Sequence, residues 1–146
     1  MLLPAMGEIP YEARRMYLCI DEYRNGEITG RFFSAFEPEA FTFCSLLALM
    51  RYIDNLLDRT MMTQRYEERR TLMKVPVTGA PAKPREEWKT FHCPTAKLAT
   101  FCLNIQFRQN ATWQGEVTWL EQKQSSFFRS SLELFRMIDD VLLYHA

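Results

Sequence analysis

The sequence predicts an α+β fold, in which two strand-strand-helix units form a four-stranded antiparallel sheet with both helices on one face. Three observations predict it: an internal repeat, strand-like alternation of apolar residues, and helical apolar stripes after the strands. At 146 residues, 47% of them hydrophobic, the chain can bury the core of one domain. We expect a first unit at 14–58, a basic linker at 59–97 and a second unit at 98–146.

The repeat is clearest in the two predicted helices. Residues 43–58 and 128–143 are identical at eight of sixteen positions at an offset of 85, where chance gives about one. Upstream, the Gly-Glu-Ile-Thr that begins at Gly26 resembles the Gly-Glu-Val-Thr that begins at Gly115, at an offset of 89. This change of offset predicts a loop that is four residues longer in the first unit.

The first unit begins with an ambiguous segment. Residues 10–24 could form an amphipathic helix that starts at Pro10, or residues 16–23 could form a strand that turns at Asn25 and Gly26. We expect the strand, because apolar residues alternate over 16–20 and the second unit contains a clear hairpin. The first helix then covers the apolar stripe between Phe43 and Leu57.

The second unit contains the better defined hairpin and helix. A turn around Asn110, a residue that tolerates the left-handed conformation, brings apolar residues of the two strands opposite one another. The expected pairs are Phe107 with Trp113, Ile105 with Gly115, Leu103 with Val117, and Phe101 with Trp119. The pattern Ser130-x-x-Glu133 predicts a capping box at the start of the second helix.

The second unit also carries a family resemblance. Its motifs are Trp113-Gln114-Gly115-x-Val117-x-Trp119 and, after them, Phe128-Arg129-Ser130-x-Leu132-Glu133-Leu134. With these motifs the chain resembles a family of small proteins from clostridial Firmicutes, which has no known function. The resemblance covers the second unit well and the first more loosely. It implies a bacterial source and a shared fold, but no activity.

Charge and cysteine content limit the environment of the protein. The 18 basic residues balance the 18 acidic ones, so no overall field favours DNA or an anionic membrane. The N-terminus lacks the pattern of a secretory signal, and no run approaches the ~20 apolar residues of a membrane span. The four cysteines form no C-x-x-C pair, which favours reduced thiols. We expect a cytoplasmic protein without a membrane partner.

The linker at 59–97 differs from the rest of the chain. It holds nine basic and four acidic residues, and its prolines between 75 and 84 prevent regular structure. We expect an exposed, mobile connector. A basic linker that lies against an acidic body is the simplest explanation, and a tether for nucleic acid or an acidic partner is the alternative.

No residue pattern indicates catalysis, a cofactor or a metal. The two histidines and the cysteines lack ligand spacing, and no glycine-rich phosphate loop occurs. Cys44 lies near the start of the first helix, where a thiol pKa can fall. Because no histidine is placed to activate it, we expect a buried structural cysteine rather than a nucleophile.

The sheet face away from the helices is the predicted working surface. Under the expected registers it displays aromatic, Arg and amide side chains that suit either a protein partner or single-stranded nucleic acid. The candidate residues are Tyr17, Tyr23, Arg31, Phe33, Asn104, Gln106, Arg108 and Gln114. The first hypothesis is a non-catalytic binding or adaptor domain for protein–protein interaction, including self-association through edge strands or a domain-swapped dimer. The alternatives are single-stranded nucleic-acid binding and a small enzyme that uses Cys44.

Overall fold

The protein contains one antiparallel sheet of six strands and two α-helices. The computed structural model describes residue 9 and residues 11–60, 70–75 and 79–145. The first half contains β1 (Met16–Arg24), β2 (Glu27–Phe33), β3 (Phe41–Phe43) and α1 (Leu46–Thr60), and the second contains β4 (Ala99–Phe107), β5 (Gln114–Trp119), β6 (Gln124–Phe128) and α2 (Ser131–Tyr144). The strand order is β3-β2-β1-β4-β5-β6. The α+β class is confirmed, whereas the prediction of four strands and a two-strand unit is wrong.

The two additional strands lie at the edges of the sheet, directly before the helices. β3 has only three residues, and β6 has the sequence Gln-Ser-Ser-Phe-Phe, which lacks alternating apolar residues. Each strand ends in a buried phenylalanine, Phe43 or Phe128, that pairs with a glycine of the neighbouring strand. These strands depend on their partners' backbone rather than on an apolar pattern of their own, so the sequence did not indicate them.

The segment that the sequence left open between helix and strand forms strand β1, which follows a short 3₁₀-helix at Tyr11–Arg14. β1 turns into β2 at Asn25 and Gly26, whose φ angles are 50° and 78°. The turn between β4 and β5 likewise contains left-handed residues, Asn110 with φ 55° and Ala111 with φ 57°. The predicted turn at Asn110 is confirmed, and both turns connect antiparallel neighbours.

The offset of 89 upstream of the helices is wrong. Gly26 lies in a turn, but Gly115 lies inside β5, where it pairs with Ile105 and Phe128. The residue with the same surroundings in the first half is Gly30, which lies 85 positions earlier. Gly30 pairs with Ile20 on one side and Phe43 on the other. The offset of 85 therefore holds at these strand positions as well as in the helices, so the first half contains no four-residue insertion.

Three of the four expected pairs between β4 and β5 are confirmed, namely Phe101 with Trp119, Leu103 with Val117, and Ile105 with Gly115. The fourth is wrong, since Phe107 pairs with Gln114. The register shifts between Ile105 and Phe107, and it shifts at the equivalent place in β1, between Ile20 and Glu22. A bulge of this kind reverses which face the following residues occupy.

The core lies between one face of the sheet and the two helices. Alternate residues of the central strands, such as Leu18 and Leu103, are fully buried together with Ile53 of α1 and Leu134 of α2. The T-shaped contact of Trp113 with Phe135 adds α2 to the same core. Both helices thus pack on one face.

The predicted linker is partly structured. Residues 61–69 and 76–78 lie outside the described residues. The Ala82 amide donates a hydrogen bond to the Arg59 carbonyl, and the Arg85 amide donates one to the Ala35 carbonyl. Residues 86–90 form a 3₁₀-helix, and residues beyond it pack on the sheet face opposite the α-helices. We call residues 85–97 the covering segment.

Candidate functional site

The face away from the helices holds some of the predicted residues but not all. Tyr17, Arg31, Phe33 and Asn104 lie on it. Phe91 of the covering segment contacts Tyr17 and Phe33, with 5.5 Å between ring centroids in each case. The first half of this face is therefore covered rather than open.

Arg31 is held beneath the covering segment by a carboxylate. Its guanidinium donates to both carboxylate oxygens of Asp21, at 2.9 and 3.1 Å, and to the Thr95 carbonyl at 3.4 Å. The Lys97 amide donates to Asp21 as well, at 3.2 Å. Burial alone would raise the pKa of Asp21, but these hydrogen bonds outweigh it and lower that pKa. Arg31 thus anchors the segment.

Two predicted surface residues, Tyr23 and Arg108, lie on the helix face instead. The Tyr23 hydroxyl donates to the Asp139 carboxylate of α2 at 2.6 Å. Arg108 is 3% exposed, and its guanidinium donates to the Asp58 carboxylate of α1 at 2.6 Å. Both follow the bulges of their strands, which turn them towards the helices, so their assignment to the open face is wrong.

The amide residues of the second half have separate positions. Asn104 is buried, and its amide donates to the Tyr11 hydroxyl at 2.9 Å. Gln106 is exposed in the bulge of β4. Gln114 accepts a hydrogen bond from the Gln109 amide and donates to the carbonyls of Gln109 and Arg129, so it stabilises the hairpin end. The structure does not bring these three amides together.

A cavity of about 360 Å³ lies where the covering segment meets β1 and β2. Aromatic rings form much of its wall: Tyr17 and Phe33 from the sheet, and Trp88 and Phe91 from the covering segment. Its remaining lining combines small apolar residues with charged ones of both signs, namely Ala35, Pro38, Glu12, Glu37, Glu39, Glu87, Arg15, Arg85 and Lys89, and it includes Ser34. An apolar wall with a few polar groups is typical of a binding pocket.

Most of the charged side chains around this cavity already have partners. Arg85 pairs with Glu87 at 3.1 Å, Lys89 with Glu86 at 3.3 Å, and Glu37 with Arg59 at 2.8 Å. The Arg15 guanidinium lies 5.4 Å from the centre of the Tyr11 ring. Within the described residues, no ion pair involves Glu12 or Glu39. Among the charged side chains that line the cavity and have no ion pair in the described structure, carboxylates thus outnumber cations.

A second cavity of about 240 Å³ adjoins the first on the side of the second half. Arg15 and Tyr17 line both cavities, and Asn104 and Cys102 contribute to the second. Burial raises the pKa of Tyr17, so its hydroxyl stays protonated and available as a donor at neutral pH. Together the cavities form a groove across the centre of the sheet.

The cysteines are arranged differently from the expectation. Cys44 is exposed, so the prediction of a buried structural cysteine is wrong. Cys19 is buried, and its Sγ lies 3.7 Å from the Sγ of Cys93 in the covering segment. Across the described parts of the chain, no three His, Cys, Asp or Glu residues are grouped so that they could hold a metal ion.

The sequence indicated Tyr17, Phe33 and Asn104 of this groove and a linker that lies against the body, but it missed Trp88 and Phe91 as lining residues. Trp88 and Phe91 are two large aromatic residues in an otherwise charged and proline-containing stretch. Aromatic residues are costly to expose, so their presence in a linker was a signal that the linker docks on the domain. Arg15 also had no periodic pattern to identify it, because it precedes β1.

Comparisons with known proteins do not add to this description. Neither α-helix within the described ranges combines the length and the apolar content that crossing a membrane requires. No protein-family model, no curated protein and no solved structure matches the chain.

Proposed function

We propose that this chain is a non-catalytic binding domain for a protein partner, and that the aromatic cavity holds one apolar side chain of that partner. The observation that carries the proposal is the wall formed by Tyr17, Phe33, Trp88 and Phe91. At about 360 Å³ the cavity is at the small end of ligand pockets, which suits a side chain better than an extended ligand. Aromatic and arginine residues are also the types enriched at binding hot spots.

The charges around the cavity favour a basic residue next to that side chain. Glu12 and Glu39 line the cavity without an ion pair in the described structure, whereas the nearby Arg85 and Lys89 are paired. A lysine or arginine of the partner would find a carboxylate within reach. The partner segment that we propose is therefore an aromatic or aliphatic residue flanked by basic ones.

Blocked peptides test this proposal directly. The series Gly-Lys-X-Lys-Gly, with X as Trp, Phe, Leu or Gly, would be titrated into ¹⁵N-labelled protein. Trp88 is the tryptophan in the cavity, so we expect its indole N–H resonance to shift, with Trp113 and Trp119 as internal references. The X = Gly peptide and Gly-Glu-Trp-Glu-Gly should bind more weakly, because one lacks the apolar group and the other reverses the charge.

A matched pair of variants completes the test. Phe33→Ala removes part of the cavity wall and should weaken binding of the X = Trp peptide roughly tenfold. Phe127→Ala removes an exposed ring on β6, at the far edge of the sheet, and should leave binding unchanged. Equal effects of the two variants, or shifts spread over all three tryptophans, would contradict the proposal.

The other functional hypotheses have weaker support. Base stacking on Tyr17 and Phe33 would have to displace Phe91, which contacts both rings. Of the two arginines among the candidate surface residues, Arg108 is buried and Arg31 is paired with Asp21. Salt-dependent retention of single-stranded DNA would nevertheless support that alternative. A Cys44 enzyme requires thiol labelling near neutral pH that Cys44→Ser abolishes.

Self-association is a second proposed interaction, and β6 is the strand that favours it. β6 is an edge of the sheet, its first four residues are exposed, and Phe127 is 66% exposed. Edge strands with exposed apolar side chains can pair with another copy. Sedimentation that shows a dimer, lost in Phe127→Lys, would support this contact. We also propose a cytoplasmic, bacterial protein and an origin of the two halves from one repeated unit.

A further inference from the structure

Two thiols face each other between the sheet and the covering segment. Cys19 lies in β1 and is fully buried, while Cys93 lies in the covering segment and is partly exposed. Their sulfur atoms are 3.7 Å apart, although the residues are 74 positions apart in the chain. Each Sγ also lies 3.5 Å from the Pro94 carbonyl oxygen. The two sulfurs are in van der Waals contact, so a small approach brings them to the S–S distance of about 2.05 Å that a disulfide requires.

The surroundings of the pair determine which cysteine ionises first and which one keeps its proton. The hydrogen bond from Cys93 lowers the pKa of Cys19, burial opposes that change, and the Arg31 guanidinium adds to it. The same contact raises the pKa of Cys93. The favoured singly ionised state is thus a Cys19 thiolate that accepts a hydrogen bond from the Cys93 thiol. Thiolates, rather than thiols, are the species that react with oxidants.

We propose that Cys19 and Cys93 form a reversible disulfide, with a hydroperoxide as oxidant, that fastens the covering segment to β1. One sulfur attacks the hydroperoxide, which gives a sulfenic acid and releases hydroxide or alkoxide. The second sulfur attacks the sulfenic sulfur, the S–S bond forms, and hydroxide leaves. The two thiol protons neutralise the two leaving groups. The dithiol loses two electrons, and hydrogen peroxide becomes two water molecules.

The link would have a defined structural consequence. Cys93 is two residues from Phe91, which forms part of the cavity wall and contacts Tyr17 and Phe33. In the reduced protein, the described contacts of this part of the segment with the sheet are side-chain packing and a few hydrogen bonds. A covalent bond would remove its freedom to leave the sheet. The proposal does not require the cavity to bind a peptide.

Peptide mapping after peroxide treatment tests the disulfide. Each cysteine lies on a different tryptic peptide: Cys19 on 16–24, Cys44 on 32–51, Cys93 on 90–97 and Cys102 on 98–108. After hydrogen peroxide, we expect the intact mass to fall by two hydrogens and two of the four thiols to disappear. A non-reducing digest should contain 16–24 joined to 90–97, and dithiothreitol should separate them.

Two serine variants serve as a matched pair. Cys93→Ser changes a partly exposed residue of the covering segment and should abolish the link while the protein stays folded. Cys102→Ser changes the half-buried neighbour on β4 and should leave the 16–24 to 90–97 link intact. Limited trypsin digestion at Lys89 should slow in the oxidised wild type and not in Cys93→Ser. A link that involves 98–108 or 32–51, or thiols that all survive peroxide, would overturn the proposal.

Discussion

Two glycines allow neighbouring strands to approach closely in each half of the sheet. A Cβ built on Gly30 would lie 1.9 Å from the Cys19 carbonyl oxygen, and one built on Gly115 would lie 2.0 Å from the Asn104 carbonyl oxygen. Both obstacles are backbone atoms of the adjacent strand, so no side-chain rotation relieves them. Each glycine therefore fixes the separation of two strands and not only a local turn.

We expect Gly30→Ala and Gly115→Ala to lower the free energy of unfolding by about 2 kcal/mol or more, because the methyl group forces the strands apart. Urea unfolding measures the loss. Gly26→Ala is the control: Gly26 has φ 78° and open space around it, so only conformational strain of about 1 kcal/mol is expected. Equal losses at all three positions would show that the close approach has no energetic role.

Tyr52 of α1 provides a pH-dependent contribution to stability. Its ring stacks on Phe41 at 4.1 Å, and burial raises the pKa of its hydroxyl from 10.0 to about 12. The unfolded chain would ionise at the lower value, so the stabilisation is complete below pH 10 and is lost as the pH rises towards 12.

We therefore expect Tyr52→Phe to lose less unfolding free energy than the wild type when the pH rises from 10 to 12. Urea unfolding monitored by circular dichroism at several pH values in this range measures the difference. Parallel curves for the two proteins would mean that Tyr52 does not contribute to alkaline destabilisation.

The inserted residue of each bulge limited which residues of the site could be predicted from the sequence. Tyr17, Phe33 and Asn104 were identified because strand alternation assigns them to the face away from the helices. Tyr23 and Arg108 follow the same alternation in the sequence, but a bulge in each strand reverses it. One inserted residue leaves no signature in the apolar pattern, so their true position was not predictable.

Both α-helices begin with a serine cap. The Ser45 hydroxyl accepts a hydrogen bond from the Ala48 amide at 3.1 Å, and the Ser130 hydroxyl accepts one from the Glu133 amide at 3.0 Å. The predicted capping box at Ser130 is only half present. The Glu133 carboxylate accepts from the Arg129 amide at 2.9 Å rather than from the Ser130 amide.

Ser45→Ala and Ser130→Ala should each lower the unfolding free energy by about 1 kcal/mol, because each leaves a helix amide without its partner. Thermal and urea unfolding would give both values. Ser45→Asp and Ser130→Asp should largely retain the wild-type stability, since an aspartate can accept the same hydrogen bond. A loss in the aspartate variants as large as in the alanine variants would argue against capping as the cause.

At the scale of elements, the helices, β4 and β5 were predicted correctly from the period of their apolar residues, and β1 and β2 partly by analogy with the second hairpin. β3 and β6 were missed. β3 has only three residues and β6 is rich in serine, so both form strands because they pair with β2 and β5 and not because of their own apolar pattern. The sequence also indicated that the linker lies against the body, but not where it docks on the sheet, for a related reason. Its position depends on contacts with distant residues, such as Phe91 with Tyr17, that no local pattern encodes.

The two halves are joined by polar contacts that cross between them. Tyr23 of the first half donates to Asp139 of the second, and Arg108 of the second half pairs with Asp58 of the first. The Trp113 indole also donates to Asp54, at 3.2 Å. With the pairing of β1 to β4, these contacts connect the two halves, so we expect the halves to unfold together.

We expect Arg108→Met to lower the unfolding free energy by roughly 2 kcal/mol, because it removes the buried ion pairs of Arg108 with Asp54 and Asp58 of α1. Tyr23→Phe should cost about 1 kcal/mol through the loss of one hydrogen bond. Both variants should still unfold in a single transition when followed by fluorescence and circular dichroism. Two separated transitions would show that the halves unfold independently.

The register of the two central strands has a consequence for stoichiometry. Tyr17 pairs with Cys102, and the pairs on either side, Met16 with Leu103 and Leu18 with Phe101, are equivalent under the offset of 85. An approximate two-fold axis therefore passes between Tyr17 and Cys102. A symmetric assembly of two identical halves would carry two equal clefts, but here the covering segment packs its Phe91 ring on Tyr17 and Phe33 of the first half. The binding proposed above would accordingly have a stoichiometry of one partner molecule per chain, where such a symmetric pair would bind two.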